Sequence, residues 1–470
     1  MANYTTPGVY IQEIPNLPPA VAQVETAIPA FIGVTEKCQM VASGDLFQIP
    51  TRIESLVEYQ QYFGGADLEA HYTVAVTVPT LATDPPATAV ASLPEATRSR
   101  HMMYYALQLF YANGGGPCYI VSTGVYAGTL TFPNVLVDGL AAVAKEDEPT
   151  LLVFPDATGV LNIGQYNTLQ TAALQQCADL QNRFVIMDLH PDTASLNEPG
   201  ADITSIVTDF RTNGVGNTNL MYGAVYAPNI ETTLSVAVDP SVNQVSVNSG
   251  TGTSLNTLKT TNTQQYNLAL AALNNLTLKV PPSGAVAGIY AAVDNARGVW
   301  KAPANVSVAT AVGPTVQITA AEQGTMNVDP TSGKSVNAIR AFAGLGTLVW
   351  GARTLAGNDN EWRYVNVRRF CIMVEESIKK ATMQFVFEPN DANTWVKVQG
   401  MIENFLTTQW RQGALQGVKP EDAFYVSVGL GKTMSADDVL NGRMIVQVGL
   451  CPVRPAEFIV LQFIQTLPVS

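Results

Sequence analysis

Strand and helix signals alternate between residues 27 and 226, and this alternation restricts the fold more than any other feature of the chain. Single helices separating successive strands imply parallel crossover connections. The sequence therefore predicts the α/β class, within a mixed α+β, multidomain chain. The predicted strands are 27–34, 118–122, 151–154, 184–188 and 220–226, and the predicted helices are 53–63, 97–113, 163–180 and 201–211.

Charge is distributed unevenly, which indicates a domain boundary near residue 330. Residues 1–330 carry 11 basic and 26 acidic side chains, whereas residues 331–470 carry 14 and 12. A chain of 470 residues also exceeds what one hydrophobic core usually serves. We expect an extended arm over 1–24, an α/β domain over 25–330 and a carboxyl-terminal α+β domain over 331–470. Charge-poor insertions rich in small and β-branched residues, expected to form β-hairpins, fall at 66–95, 231–263 and 305–328.

The last hundred or so residues have the clearest local pattern. Helices are predicted over 366–381, where apolar side chains recur at i, i+3, i+4 and i+7, and over 391–412. Strands are predicted over 424–430, 444–450 and 457–466.

Composition excludes several classes of protein. The net charge of −13 argues against general nucleic-acid binding. No apolar run reaches the ~18 residues of a membrane helix, and the amino-terminal residues do not resemble a secretory signal. The five cysteines are scattered and odd in number, as expected of free thiols in a reducing compartment. Charged residues make up only 13% of the chain, against about 25% in typical domains, which favours a surface covered by other chains.

Two Gly-Lys-hydroxyl triplets, at 333–335 and 431–433, resemble the end of a phosphate-binding loop. That loop needs a further glycine five positions earlier, where this chain has Val328 and Val426. A dinucleotide-binding glycine pattern beginning at Gly344 fails in the same way, because Val349 takes the place of its last glycine. We expect no nucleotide cofactor.

Asp188, His190 and Asp192 lie close enough in sequence to hold a metal ion in principle. A strand end entering a turn, with both carboxylates making turn hydrogen bonds, is the simpler interpretation. No nucleophile elbow, zinc-binding helix or paired-cysteine motif is present. The sequence therefore predicts no catalytic, cofactor or metal residues, and no enzyme.

Both ends of the chain contain a short apolar run flanked by prolines. An unpaired hydrophobic strand is an aggregation risk unless another sheet receives it. Two interpretations remain open from the residues alone: each run pairs within its own chain, or each is donated to a neighbouring copy by β-augmentation. The residues concerned are Val9, Tyr10, Ile11 and Ile14 at one end and Phe458, Ile459, Val460, Leu461, Phe463 and Ile464 at the other.

Several longer motifs resemble the contractile tail sheath proteins of tailed bacteriophages and of extracellular contractile injection systems. The resemblance spans the chain apart from the three insertions. The matching segments are TPGVYIQE at 6–13, AFIG at 30–33, GGGPCYIV at 114–121, PPSGAVAGIY at 281–290, DNARGVWKAPAN at 294–305, YVNVRR at 364–369, FEPND at 387–391 and PAEFI at 455–459.

The resemblance implies a structural subunit of stacked hexameric rings around an inner tube, which contract to drive that tube through a cell envelope. It places the α/β domain outside and the carboxyl-terminal domain inside, completed by strands donated from neighbouring subunits. The receiving sheet would then contain Phe424, Val426, Val428, Ile445, Val446 and Val448.

The implied partners are other copies of the chain, an inner tube protein, baseplate and terminator or cap proteins, and paralogous sheath subunits where a particle contains them. Neither nucleic acid nor membrane insertion is expected. Assembly in the bacterial cytoplasm would lead to a phage tail or a released extracellular particle. An α/β enzyme, or another tail or baseplate component, remains the alternative.

The positive balance of residues 331–470 suggests where the tube is contacted. The polar face of the predicted 391–412 helix presents Lys397, Asn404 and Arg411. Weak, screened charge contacts can hold a tube and still release it. The other interpretation is an ordinary solvated helix face.

Overall fold

A computed structural model describes residues 20–198 and 200–460. It contains two compact units. The larger unit is built on Glu25–Met373 and is rejoined by the chain from Arg454 onward, whereas the smaller unit is built on Val374–Val453 and includes the segment ending at Val24.

The larger unit contains most of the regular structure. Its strands are β1 (Pro29–Thr35), β2 (Thr51–Ile53), β3 (Thr73–Thr77), β4 (Thr88–Ser92), β5 (Cys118–Val125), β6 (Leu151–Val153), β7 (Phe184–Asp188), β8 (Gly223–Ala227), β9 (Ile230–Thr232), β10 (Val245–Val247), β11 (Leu278–Val280), β12 (Val306–Ser307), β13 (Ala311–Pro314), β14 (Val336–Phe342) and β15 (Gly346–Val349). Its helices are α1 (Leu56–Phe63), α2 (Met103–Ala112), α3 (Asn134–Val143), α4 (Ala157–Val160), α5 (Ile163–Leu180), α6 (Ile203–Asp209), α7 (Leu255–Thr261), α8 (Thr263–Asn274), α9 (Ser283–Arg297) and α10 (Ala320–Asn327).

The smaller unit begins inside helix α11 and ends just after a strand. Its elements are α11 (Val365–Thr382, whose first half belongs to the larger unit), α12 (Ala392–Arg411), α13 (Pro420–Ala423), β16 (Phe424–Val428), α14 (Ala436–Leu440) and β17 (Val446–Leu450).

A nine-stranded sheet organises the larger unit, in the order β12-β15-β14-β8-β7-β6-β1-β5-β2. The six strands from β14 to β5 are parallel, and β15, β12 and β2 add antiparallel edges. Strands β1, β6, β7 and β8 are buried along their whole length, as expected where helices cover both faces of a parallel sheet. The predicted α/β fold is confirmed.

Alternate side chains of the central strands divide the core into two layers. Phe31 and Ile186 belong to one hydrophobic cluster, together with residues of α2 and α9. Ile32 and Val185 belong to the other, together with residues of α3 and α5. The alternation follows from the two-residue repeat of a strand, and it accounts for the continuously apolar strand sequences.

Helix α2 begins later than the sequence predicts. The apolar pattern suggested a helix from residue 97, but α2 starts at Met103. The backbone amides of Met102 and Met103 instead donate to Asp156 Oδ1, at 2.6 and 3.2 Å. A distant carboxylate thus satisfies amides that have no partner within the helix and sets its first turn.

The insertions combine differently from the simple hairpins expected. Strands β3 and β4, from the first insertion, form an antiparallel pair, and β10 from the second joins β3 in parallel. The second insertion also contains α7, whose amino terminus is capped by Ser254. The third contains α10, whose capping box unites Thr319 and Glu322. Caps of this kind favour helix where composition alone suggested β-structure.

The compact units do not coincide with the division predicted near residue 330. Strand β14 pairs in parallel with β8 in the large sheet, so residues 331–373 pack with the larger unit. Composition changes at residue 330, but strand pairing continues past it. Among the described residues, no helix combines the length and apolar character needed to span a membrane.

Candidate interaction surfaces

Strands β16 and β17 form a two-stranded antiparallel sheet in the smaller unit. Phe424 lies opposite Leu450, Val426 opposite Val448, and Val428 opposite Val446. Directly opposed residues share a face, so these apolar side chains lie on one side of the sheet. Val426 and Val428 are buried, whereas Val446 and Val448 are only half-buried. Cover over β17 is therefore incomplete.

The hydrogen-bond register leaves the outer edge of β17 and most of the outer edge of β16 without backbone partners among the described residues. Cys451 N–H donates to Ala423 O at 2.9 Å, one residue beyond the Phe424–Leu450 pair. In an antiparallel ladder this makes Tyr425–Gly449 and Ser427–Gln447 the mutually hydrogen-bonded pairs. The backbone groups of the intervening residues then point outward. Within the described part of the chain, Val446, Val448 and Leu450 on β17 and Val426 and Val428 on β16 have no backbone partner along these edges, whereas Phe424 N–H donates to Pro420 O at the end of α13.

Five of the six residues predicted for the receiving sheet lie in these strands on the shared face. The sixth, Ile445, precedes β17 and is 41% exposed. Strand alternation would direct its side chain to the opposite face. Its carbonyl accepts a hydrogen bond from Thr433 Oγ1 at 2.6 Å. This bond joins the first part of the segment between β16 and β17 to its last residue.

The opposite face of the sheet contains an aromatic–glycine pair. The ring of Tyr425 lies so close to Gly449 that a Cβ at that position would be 2.1 Å from its Cε1 atom. Glycine permits this close approach of the ring to the backbone, and the ring covers the gap that glycine leaves in the strand. The pair was not identified from the sequence, since it depends on the register of two separated segments.

Helix α12 presents the three residues predicted to contact a tube. Val398, Ile402 and Phe405 are buried and lie on its apolar face. Lys397, Asn404 and Arg411 are exposed and lie seven residues apart. Seven residues are close to two helical turns, so the three side chains share one face at intervals of about 10 Å.

A groove of about 740 Å³ lies beside β17 in the smaller unit. It is lined by Val446 and Met444 and by the segment from Phe385 to Asn390. Phe387 is fully exposed and has a φ of 69°, in the left-handed region that non-glycine residues rarely adopt. The backbone thus directs a large apolar side chain toward solvent.

The described part of the carboxyl-terminal run, Phe458–Val460, joins no sheet. Phe458, Ile459 and Val460 are 69%, 79% and 78% exposed and form no strand. Glu457, immediately before them, is held by side chains of the larger unit. The remaining donor residues, Leu461, Phe463, Ile464, Val9, Tyr10, Ile11 and Ile14, lie outside the described residues.

Residues that the sequence suggested for a metal site or a phosphate-binding loop make hydrogen bonds within the protein. Asp188 accepts from Ser283 through both carboxylate oxygens, whereas His190 contacts Leu161 O. Lys334 Nζ donates to the carbonyls of Arg211 and Val215. Among residues 20–198 and 200–460, no three His, Cys, Asp or Glu side chains come together as a metal site.

A carboxylate also occupies the point where α/β sheets usually bind ligands. The chain passes from β1 to β5 on one side and returns to β6 on the other, so the topological switch point lies between β1 and β6. There, buried Asp156 accepts from Val34 N at 2.8 Å and from the amides that start α2. Burial raises the pKa of the Asp156 carboxyl, while His101 and these amides oppose that rise. A Cβ on Gly33 would be 2.5 Å from Asp156 Oδ2, so glycine makes room for it.

Comparison with known proteins gives the family. The family model described as phage tail sheath C-terminal domain matches residues 357–466. The cryo-EM structure of the anti-feeding prophage helical sheath in the contracted state contains a chain that is 30% identical, with a TM-score of 0.64, over 98% of this chain and 100% of that one. The protein belongs to the contractile tail sheath family.

Two further sheath proteins support this assignment. The sheath complex of the extracellular contractile injection system PVC, also contracted, contains a chain that is 29% identical, with a TM-score of 0.65, over 99% of both chains. The tail sheath protein of Vibrio phage KVP40 is 24% identical over 188 residues, which are 40% of this chain. That match covers 26% of the phage protein's length. The predicted resemblance is confirmed.

Motifs that carry the resemblance to sheath proteins meet in the larger unit. Asp294 forms a buried ion pair with Arg369 at 2.5 Å and also accepts from Thr26 Oγ1. Asn366 Nδ2 donates to Trp300 O at 2.8 Å. Three sequence-distant segments of this sheath protein are thus joined by polar contacts, which the sequence alone did not reveal.

Proposed function

We propose that the chain is the structural subunit of a contractile sheath, in which stacked hexameric rings surround an inner tube and contract to drive it through a target cell envelope. Membership of the sheath family supports the role of sheath subunit. The proposed role is structural and rests on that family membership; Asp156, Asp188, His190 and Lys334 make contacts within the larger unit.

The open sheet of the smaller unit carries this proposal. A two-stranded sheet is at best marginally stable alone, and both edges of β16–β17 have unpaired backbone groups. The groove beside Val446 provides apolar walls for an added strand. The exposed run at Phe458–Val460 is an apolar segment of the kind that such an edge receives.

In the proposed assembly, residues 8–14 and 458–466 of each subunit add strands to the sheets of neighbouring subunits. Main-chain hydrogen bonds supply the affinity, and side-chain pockets supply the specificity. Such pairing persists when the subunit bodies reorient, provided that the linkers bend. Many small gains in contact between bodies then drive the stroke without nucleotide hydrolysis.

The partners are other copies of the chain, the inner tube, and baseplate and terminator or cap proteins. Paralogous sheath subunits join them where the particle contains more than one kind. The subunits assemble in the bacterial cytoplasm and function in a phage tail or a released injection particle.

A variant without residues 1–19 and 458–470 tests strand donation. It keeps the segment anchored by Val24 N–H, which donates to Ser377 Oγ at 3.0 Å, so the smaller unit should retain its fold. Negative-stain microscopy of the full chain should show cylinders, whereas the doubly truncated chain should remain as small oligomers with an unchanged circular dichroism spectrum. Orderly cylinders from the truncated chain would refute strand donation.

A further inference from the structure

Glu457 sits in a dense set of side-chain hydrogen bonds within the larger unit. Arg353 donates through Nη2 to Oε2 at 2.7 Å and through Nε to Oε1 at 2.9 Å. Asn327 Nδ2 donates to Oε1 at 2.6 Å, and Tyr364 O–H donates to Oε2 at 3.0 Å. We call this arrangement the Glu457 clamp. Oε1 thus accepts from two donor atoms and Oε2 from three, because Arg353 Nε also lies 3.2 Å from Oε2.

Burial and further hydrogen bonds hold the arginine of the clamp in place. Arg353 is buried, and its Nη1 also donates to the carbonyls of Asn327 and Gly357. Burial raises the pKa of the Glu457 carboxyl, but the hydrogen bonds from Arg353 and Asn327 outweigh that effect, so its pKa lies below the usual value. The bidentate guanidinium contact adds geometric specificity to this attraction.

The chain is anchored by a hydrogen bond before Glu457 and is mostly exposed to solvent after it. Val453 N–H donates to Ala414 O at 3.1 Å within the smaller unit. Only residues 454–456 therefore separate that anchor from the clamp in the larger unit. Beyond the clamp, Phe458, Ile459 and Val460 are mostly exposed and make no strand. The exposed part of the described arm thus begins at Phe458.

We infer that Glu457 is a positioning residue, which fastens the donated carboxyl-terminal arm to the larger unit and fixes the point from which the arm reaches a neighbour. This rests on the proposed strand donation and adds the attachment point. A strand whose origin is fixed loses less conformational freedom on pairing, so the clamp favours assembly without touching the receiving sheet. It also ties the larger unit of one copy to the sheet of the next.

Glu457→Gln tests the inference, because glutamine keeps the size of the side chain but cannot accept from all four donors. The control is Glu361→Gln, which removes the same charge from an exposed side chain of the larger unit. The critical subunit concentration for cylinder formation, measured by sedimentation, should rise at least ~10-fold in E457Q, or about 1.4 kcal/mol per subunit. It should not change in E361Q. An unchanged value in E457Q would overturn the inference.

Two engineered variants, each with three added residues, distinguish positioning of the arm by Glu457 from a contribution of Glu457 to stability alone. Gly-Ser-Gly between Arg454 and Pro455 lies before the clamp, so the origin of the arm stays in place and assembly should be close to that of the unmodified chain. The same insertion between Glu457 and Phe458 moves that origin by up to about 10 Å and should impair assembly. Equal effects, or the reverse order, would contradict the inference even if E457Q folded poorly.

A chain that ends at Glu457 separates this inference from the proposal on which it rests. If that chain forms cylinders, donation of the carboxyl-terminal arm is wrong and the clamp has no arm to position. If it does not, while E457Q assembles like the unmodified protein, donation stands and only the role of Glu457 is wrong. Hydrogen exchange at residues 454–460 should be faster in E457Q than in E361Q, because the clamp restrains them.

Discussion

At the scale of single residues, Asp188 is a carboxyl group whose ionised form is destabilised by burial. It ends strand β7 inside the core, where Ser283 N–H and Oγ–H are its hydrogen-bond donors at 2.8 and 2.6 Å. Burial raises the pKa of Asp188 to about 7, and the two hydrogen bonds from Ser283 counter this only in part. The folded chain therefore keeps a proton that the unfolded chain, with an ordinary aspartate pKa near 4, releases.

This difference gives a prediction about stability and pH. Between about pH 4 and 7 the folded state binds the extra proton, so the unfolding free energy should fall as pH rises, by up to about 1.4 kcal/mol per pH unit. Asp188→Asn keeps an acceptor for Ser283 N–H and a donor for Ser283 Oγ but cannot titrate. Urea unfolding from pH 5 to 8 should therefore show a smaller decline in the variant.

The matched control for this titration is Asp147→Asn, at an exposed carboxylate of the same unit. Its unfolding free energy should follow that of the unmodified chain at each pH. An Asp188→Asn profile parallel to that of the unmodified chain would show that Asp188 is not the titrating group.

At the scale of elements, β17 has two kinds of backbone position, and proline distinguishes them. Val448 N–H points to the open edge, whereas Gln447 belongs to a pair hydrogen-bonded to Ser427. Proline is tolerated in a strand where its missing N–H would face solvent. Val448→Pro should therefore change the thermal midpoint of the isolated subunit only slightly, yet prevent cylinders by blocking strand addition at β17.

Gln447→Pro is the matched variant, with the same ring one residue away. It removes a hydrogen bond between β16 and β17, so it should lower the thermal midpoint as well as prevent assembly. Normal cylinders from Val448→Pro would mean that the edge of β17 does not receive a strand.

The same scale shows how far the sequence predicts the structure. Helix α5 and strand β7 have the predicted bounds, because both are specified locally. Asn162 and Gln165 form a capping box at the start of α5, and its apolar repeat continues to Leu180. The predicted start of α2, at residue 97, was wrong, because Asp156, more than fifty residues away, accepts from the amides at the observed start. Parallel pairing of β10 with β3 likewise joins distant segments that have no local signal.

In the candidate interaction surfaces, too, features set by local sequence could be predicted, whereas contacts between distant segments could not. The exposed positions of Lys397, Asn404 and Arg411 could be predicted, because helical periodicity alone determines the exposed face of α12. The Glu457 clamp could not, because it brings together Asn327, Arg353 and Tyr364 from three segments. Its acidic residue lies in a recognised motif, but motif similarity does not identify a partner more than ninety residues away.

At the scale of the whole molecule, the proposed sheath must hold its tube and still release it. Lys397 and Arg411 lie about 20 Å apart on the exposed face of α12, and no salt bridge among the described residues involves either side chain. Charge contacts at such a surface are individually weak and sensitive to salt. Contact with an acidic tube through this face would therefore be strong only when repeated over many subunits.

Reversing both charges, as Lys397→Glu with Arg411→Glu, should prevent sheaths from assembling in the extended state on purified tubes, because repulsion replaces a repeated attraction. The control, Lys145→Glu with Lys259→Glu, makes the same change in net charge at two exposed positions of the larger unit. Cryo-EM of sheath–tube mixtures measures the fraction of tubes covered, which should fall in the first variant and persist in the second. Equal coverage would show that this face of α12 is merely solvated and that the tube binds elsewhere. Loss of coverage in both variants would implicate net charge instead of this face.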